Sequence, residues 1–314
     1  MMRFYLAFDI GGTNLKFGVL NEQGDILQRG KVQTALSGDA IINSIVMIKE
    51  KYAPLYAFEG VAFSVPGFVD IESGYLKTGG AITDFHEFNF KQTLMAKLSL
   101  PVEVDNDVNC VALAEKWQGN AQGSKNFLCM NIGSGIGGAI FLNDQLIRGQ
   151  QYMAGEFGYM LTGNIFACAD KQVIMSDTAS VMGGLRLGYI KLKGELTLEQ
   201  VSGEDVYHLA EQGDPLAKQT IDEFYQHLAI GLYNLTFILN PEKILIGGAI
   251  SNRSEIFMAI KQKFQEILAT QGNLQAFSVD QLVTIESCKF KNDSGLIGAV
   301  YHYISMAKCH AAGE

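Results

Sequence analysis

The sequence predicts an α/β protein built in two halves. Three observations carry that expectation. A strand, glycine turn, strand unit occurs twice, first as Phe4 to Leu20 around Gly11-Gly12 and again as Phe127 to Leu142 around Gly133 to Gly138. Apolar runs of strand length and segments of helical period are mixed along the whole chain. The chain has 314 residues, 48% of them hydrophobic, which suits two domains with large cores and excludes a disordered chain.

The elements follow in order. Phe4 to Phe8 is an apolar strand, Asp9 to Asn14 a glycine turn, and Leu15 to Leu20 a returning strand that ends in a turn at Asn21 to Gly24. A third strand is expected over Gly30 to Gln33. Asp39 to Tyr52 places Ile41, Ile42, Ile45, Val46 and Ile48 at helical spacing. Gly60 to Val65 is a buried strand stopped by Pro66-Gly67, and Val69 to Asn89 reads as a functional loop region. Phe90 to Leu98 is a helix and Pro101 to Asp105 a strand. It feeds a helix over Asn106 to Trp117 that Gly119 closes. In the second half, helices are expected over Thr178 to Lys193 (which carries Gly183-Gly184), Gly203 to Ala210, Asp214 to Leu239 and Ser254 to Ala269. Strands are expected over Lys243 to Ile246 and Leu282 to Ser287, with a third glycine turn at Gly247-Gly248-Ala249. Asn292-Asp293-Ser294 caps a last helix, Gly295 to Met306.

Composition narrows the partners. A net charge of -9 argues against nucleic acid or an anionic membrane, though a locally positive site can still take an anionic small molecule. Cys110, Cys129, Cys168, Cys288 and Cys309 are scattered, mostly in apolar runs, and read as reduced thiols of a cytoplasmic protein. No signal peptide is visible, since Met1-Met2-Arg3 leads directly into a strand, and no apolar run is long enough to span a bilayer.

Glycines in a tight turn leave backbone N–H groups uncovered, so a phosphate oxygen can approach them. One such turn is most simply a hairpin. Two copies, both with hydroxyl side chains (Thr13 and Ser134), point to one polyphosphate held by both halves. Gly133, Gly135 and Gly138 also satisfy G-x-G-x-x-G, with Glu156 about 20 residues on, but the dinucleotide fingerprint needs a helix at the glycines. Here a second strand follows, which speaks against a dehydrogenase.

Asp107 is the leading candidate for chemistry. It falls in the first turn of a helix just past a strand end, where the helix terminus favours a carboxylate. Such a group could accept the proton of a sugar hydroxyl as that hydroxyl attacks phosphorus. The plainer alternative is that Asp105, Asn106 and Asp107 are capping residues. Asp9 could hold Mg²⁺ through water, or simply bond its own turn. Lys16 could face phosphate or solvent, and Glu156, between two glycines, suits a polar ligand. His86, His208, His227, His302 and His310 show no metal-ligand spacing with the cysteines. Ser64 and Ser134 lack His/Asp partners, so hydrolase chemistry has no support.

Asp9-Ile10-Gly11-Gly12-Thr13, Pro66-Gly67, Asn106-Asp107, the GSGIGG turn, Ala154 to Gly158 and Ile246 to Ala249 occur in the order found in ROK proteins. These are the sugar kinases and sugar-responsive repressors within the actin–hexokinase ATPase superfamily, and the resemblance covers nearly the whole chain. It implies two RNase H-like domains, 1–118 and 119–292, with ATP and sugar in an interdomain cleft and the C-terminal helix 293–307 packing back on the first. By motif match Asp107 resembles the catalytic base. Asn106 and Glu156 resemble the sugar-hydroxyl ligands, with Gly67, Gly80, Ala81 and Tyr159 on the substrate side. The ATP-binding set is Asp9, Gly11, Gly12, Thr13, Asn14, Lys16, Gly133, Ser134, Gly135 and Gly137, with Gly247, Gly248 and Ala249 at the adenosine. ATP and Mg²⁺ (on Asp9) are the implied cofactors, and a homodimer is expected.

Two departures matter. Family members usually carry C-x-C-G-x-x-G-C and the histidine of G-E-x-G-H, which together bind zinc. Here Tyr159 replaces the histidine, and Asn164 to Asp170 contains only Cys168, so no zinc site is expected. Ser176 and Asp177 are alternative replacements for the family's second sugar-binding glutamate. Within the family, Gly79 to Ile82, Asn109-Cys110, Glu115 to Gly119, Gly155 to Thr162 and Gly295 to His302 are most similar to bacterial β-glucoside kinases. That similarity implies phosphorylation of the 6-hydroxyl of the non-reducing glucose of cellobiose and related β-glucosides. A tyrosine at the anomeric end fits a site that admits an aglycone. The alternatives are a glucokinase, an N-acetylmannosamine kinase or a non-catalytic sugar-responsive regulator. A regulator is disfavoured by the negative charge and by the first phosphate strand starting at Phe4.

Overall fold

A computed structural model describes residues 2–169, 171–194 and 196–313, without the side chains of 310–313; Asp170 and the side chain of His310 therefore lie outside the described residues. The chain forms two compact units. One is Met1–Gln122 with Arg148–Ala154 and Asn292–Glu314; the other is Gly123–Ile147 with Gly155–Lys291.

In the first unit, β1 (Phe4–Ile10) and β2 (Asn14–Asn21) form the hairpin around Gly11-Gly12. Leu6, Phe8 and Ile10 enter one core while Tyr5 and Ala7 are buried on the opposite face. Burial on both faces explains the continuous apolar run. The next strand, β3 (Ile26–Gln33), begins four residues before the expected Gly30. It lies outside β2 at the sheet edge and is largely exposed, so no apolar pattern marks its first half. Helix α1 (Gly38–Tyr52) starts at Ser37, whose side chain accepts from Ala40 N, and buries Ile41, Ile42, Ile45 and Ile48. After β4 (Phe58–Val65), the expected loop region contains a small antiparallel sheet of β5 (Val69–Asp70), β6 (Tyr75–Leu76) and β7 (Phe88–Asn89). Two-residue strands are too short to show alternation in the sequence. Helix α2 (Phe90–Leu98), β8 (Val102–Asn106) and α3 (Asp107–Gln118) follow as the pattern predicts. The main sheet runs β3-β2-β1-β4-β8, with β1, β4 and β8 parallel.

The second unit repeats that order. Strands β9 (Phe127–Ile132), β10 (Ile136–Leu142) and β11 (Gln145–Ile147) make the antiparallel part. Helices α4 (Met175–Ala179), α5 (Gly188–Lys193), α6 (Gly203–Glu211) and α7 (Pro215–Leu239) lead to β12 (Lys243–Gly247). Then come α8 (Glu255–Ala269), α9 (Val279–Leu282) and β13 (Thr284–Ser287). The sheet order is β11-β10-β9-β12-β13, with β9, β12 and β13 parallel.

Two expectations are corrected here. Thr178 to Lys193 is not one helix: Ser180 is extended, and a π-helical turn over Val181–Leu187 separates α4 from α5. Gly183 and Gly184 permit it, because a Cβ on either would collide with the carbonyls of Ser176, Asp177 and Thr178. Leu282 ends α9 rather than starting a strand, since Ser278 and Gln281 form a capping box around it.

The last helix, α10 (Ser294–Gly313), packs in the first unit on α3, β1 and β4. Its crossing with α3 is close, because a Cβ at Gly298 would fall inside the Cys110 carbonyl. Further along the pair, Trp117 stacks on Tyr301 with ring centroids 5.1 Å apart. Among the described residues, no helix is long and apolar enough to cross a membrane. Gly298→Ala is expected to lower stability by about 1–3 kcal/mol through overpacking of this crossing. The urea midpoint reads it, and an unchanged midpoint would mean that the helices can separate without cost.

Candidate active site

Strand register assembles the first unit's polar groups. Lys16 of β2 lies opposite Asp9 of β1, Asp9 beside Ser64 of β4, and Ser64 beside Asp105 of β8. These four positions form one row near the carboxyl ends of the parallel strands, where open α/β sheets collect their ligands. Asp9 Oδ1 accepts from Ser64 Oγ at 2.7 Å and Oδ2 from Lys16 Nζ at 3.1 Å. Lys16 also donates to the Asn292 carbonyl at 3.3 Å, so it is held in the row rather than turned to solvent. The first turn of α10 rests on the Asp9 carboxylate. A Cβ at Gly295 would come 2.6 Å from Asp9 Cγ, so glycine lets the helix terminus approach the negative charge. Each Asp9 oxygen accepts one bond and keeps a lone pair free, so the carboxylate would fit a Mg²⁺ ion held through water.

The adjoining turn is tight. Gly11 N donates to Asn14 O at 3.0 Å, and Thr34 fastens it from outside through Oγ1 to Gly11 O at 2.6 Å. Gly12 and Thr13 remain exposed, and Asn14 is half-buried at the start of β2. A Cβ at Gly12 would stand 3.4 Å from that of Ala81, which brings the phosphate turn next to the Gly79 to Ala81 segment. Gly80 packs on Pro66, and Gly67, at φ +95°, packs on the Thr78 carbonyl. These two loops therefore form one packed unit.

Asn106 caps α3. Its Oδ1 accepts from Val108 N at 2.9 Å and Asn109 N at 3.1 Å, while Nδ2 donates to Gly67 O at 2.9 Å. Asp107 is the first residue of α3, half-buried, with Oδ1 accepting from Val108 N at 2.9 Å. The capping reading thus holds for Asn106 and leaves Asp107 on the helix terminus beside it.

Asp105 is no capping residue. It is wholly buried, and Arg148 binds it through two parallel bonds of 2.7 and 2.6 Å. Asn106 N and Asn109 Nδ2 add bonds of 2.7 and 3.2 Å, and His302 Nδ1 lies 3.4 Å from Oδ2. Burial alone would raise the Asp105 carboxyl, but the Arg148 charge and these donors hold it below the usual carboxylate range. Sequence reasoning missed Arg148 because it lies 43 positions from its partner. The available signal was an aspartate inside an apolar strand, which needs a cation if it is buried.

In the second unit, Gly133 N donates to Gly135 O at 2.9 Å, and Gly133 O accepts from Val181 N at 2.9 Å. Ser134 and Gly135 are exposed at the tip and Gly137 is half-buried. Ile136 N donates to Ser176 Oγ at 3.0 Å, so Ser176 holds the turn. Asp177, the other candidate at that position, lines a separate cavity with Thr178, Lys191 and His227. Gly138 is structural, since a Cβ there would strike the Phe157 ring. The strand after the turn removes the dinucleotide reading. Glu156 is half-buried, and burial raises its carboxyl above the usual range. Tyr159 is 65% exposed. Gly248, at φ +87°, packs on the Ile132 carbonyl, and a Cβ at Gly247 would sit 2.9 Å from Asn131 Oδ1. Ala249 lines a cavity of about 760 Å³ with Ser202, Tyr207, Asn252 and Arg253. The Arg253 guanidinium lies 4.0 Å over the Tyr207 ring.

His302 is buried, and burial lowers its value despite the Asp105 charge. A folded value below the unfolded one means that the unfolded chain binds more protons as pH falls below about 6.5, so stability declines from there. His302→Gln should therefore flatten the fall of the unfolding free energy from urea titrations between about pH 7 and about pH 5, by at most about 1.4 kcal/mol per pH unit. A slope identical to wild type would mean that His302 does not titrate differently on unfolding.

Comparison with known proteins adds an independent line. The family model described as ROK family matches residues 5–305. A β-glucoside kinase of Klebsiella pneumoniae is 40% identical over 299 residues, covering 95% of each chain. A β-glucoside kinase of Listeria innocua is 37% identical over 305 residues, covering 97% of this chain and 98% of the relative. Among solved structures, the Listeria monocytogenes protein Lmo2764, described as a candidate N-acetylmannosamine kinase, superposes with a TM-score of 0.84 at 37% identity. That match covers 97% of this chain and 99% of the other. The repeated sheets, the glycine turns and the full-length match lead to one statement: the chain belongs to the ROK family and has its actin–hexokinase ATPase fold.

Proposed function

We propose that the chain is an ATP-dependent sugar kinase acting on the 6-hydroxyl of the non-reducing glucose of β-glucosides such as cellobiose. The observation that carries this reading is Asp107 itself, a half-buried carboxylate on the N-terminus of α3 beside the locked side chain of Asn106. The names and identities of the curated relatives support the sugar class.

In this reading Asp107 takes the proton of the 6-hydroxyl as its oxygen attacks the γ-phosphorus and ADP leaves. Asn106, whose amide oxygen is held by two cap N–H groups and whose amide nitrogen donates once to Gly67 O, presents its remaining N–H to a sugar hydroxyl. Glu156 accepts from another hydroxyl, which replaces water around a carboxylate already raised by burial. Gly67, Gly80 and Ala81 shape the acceptor side. The turns at Gly11 to Thr13 and Gly133 to Gly135 receive phosphate oxygens on the N–H groups of their exposed residues Gly12, Thr13, Ser134 and Gly135, aided by Lys16 and the hydroxyls of Thr13 and Ser134. Asp9 would hold Mg²⁺ through water, and the ion would there neutralise charge on the phosphates. The cavity beside Ala249 takes the adenosine, with the Tyr207–Arg253 stack as one wall. Tyr159 offers an open aromatic face to the sugar's anomeric end or its aglycone. The same reading includes a cytoplasmic homodimer.

A kinase for a free sugar is the second reading, favoured by the description of Lmo2764. Turnover measured by ADP release across cellobiose, glucose and N-acetylmannosamine separates the two. The β-glucoside reading expects the highest kcat/KM on cellobiose, and a preference for either monosaccharide sinks it. Asp107→Asn is expected to leave sugar affinity largely intact and to slow turnover by roughly 10²–10⁴-fold. Near-normal turnover in that variant would remove Asp107 from the role of base.

A further inference from the structure

We propose that Arg148 is a positioning residue for the base, acting through Asp105; the proposal rests on the reading of Asp107 given above. Asp105 lies two positions before Asp107 and is fully buried, so its charge needs a partner. Arg148 supplies it in a fork, Nη1 to Oδ1 and Nη2 to Oδ2, which fixes the plane of the carboxylate as well as its charge. That plane in turn sets two groups at the start of α3. Oδ1 accepts from the backbone N–H of Asn106, the cap residue, and from the side chain of Asn109 one turn on. Asn106 then holds the N–H groups of Val108 and Asn109, and the Val108 N–H is shared with the Asp107 carboxylate.

Arg148 is itself well anchored. Its carbonyl accepts from Ala154 N at 3.1 Å, closing the segment Arg148–Ala154 into a loop, and Gln151 of that loop accepts from Lys77 at 2.7 Å. The chain from this loop runs directly into Gly155-Glu156. A buried ion pair is a weak means of stabilising a fold, since apolar residues of similar volume do as well. Its distinctive product is orientation, and misplacing a reacting group by about 1 Å can cost on the order of 10²-fold in rate. Arg148 is placed where it delivers that orientation to the strand end bearing Asn106 and Asp107.

The test is Arg148→Lys, which keeps the charge and loses the fork. The expected result is a folded protein whose kcat falls about 10- to 100-fold, while KM for sugar and for ATP stays within about threefold. Amide exchange at Val108 and Asn109 should accelerate at the same time. A folded Arg148→Lys with wild-type kcat, or a loss confined to KM, overturns the proposal. Where Arg148→Lys does not fold, the charge-balanced double variant Asp105→Asn/Arg148→Met replaces it. That variant removes both charges and is expected to fold with the same loss of kcat; wild-type kcat there overturns the proposal too. An inactive wild type would sink the kinase reading alone. Exchange at Val108 and Asn109 then decides by itself: faster in Arg148→Lys upholds the positioning role, and unchanged overturns it.

Discussion

Parallel pairing of β1, β4 and β8 is the constraint on which the first unit's chemistry depends. Parallel strands deliver all their carboxyl ends to one edge of the sheet, and the register then decides which side chains share a row. Here the shared row is Lys16, Asp9, Ser64 and Asp105, with Asn106 and Asp107 following at once. A shift of one residue in β8 would turn Asp105 to the opposite face and bring Val104 or Asn106, neither of them charged, to the Arg148 fork. The apolar residues between the polar ones, Leu6, Phe8, Val61, Phe63, Val102 and Val104, prevent that slip because each is fully buried.

Charge along the row is balanced by different means at its two ends. Asp9 is half-buried and meets a lysine, a serine hydroxyl and the terminus of α10, so it remains accessible to a hydrated cation. Asp105 is sealed and meets a guanidinium fork, a backbone N–H and the buried ring of His302. Two carboxylates of one strand layer thus have separate roles, one available to ligands and the other internal scaffolding. Desolvation makes the difference, because a buried charge must be met by fixed donors while a half-exposed one can borrow water.

The glycines divide in the same way. Gly12 and Gly135 are exposed and have little within reach of a Cβ, which leaves room for a ligand to approach. Gly67, Gly138, Gly155 and Gly248 are closed in by carbonyls or rings, and serve packing. A glycine-rich motif therefore mixes two physical requirements that look alike in one dimension. Gly138 completes the literal dinucleotide fingerprint, yet its place is under the Phe157 ring in a strand.

Local physics was legible in the chain by itself. The doubled hairpins, the helices over Phe90–Leu98 and Pro215–Leu239, and the cap at Asn106 follow from runs, periods and hydroxyl or amide residues at element starts. These signals span only a few positions, and so does their cause. The exposed half of β3, the break at Ser180 and the short strands before α2 left no such mark, because edge pairing and carbonyl crowding depend on neighbours brought from elsewhere. The buried bond between Asp105 and Arg148 is of the same kind. An arginine in a loop and an aspartate in a strand carry no sign of each other until folding removes the water between them, and only the tertiary structure decides that they meet.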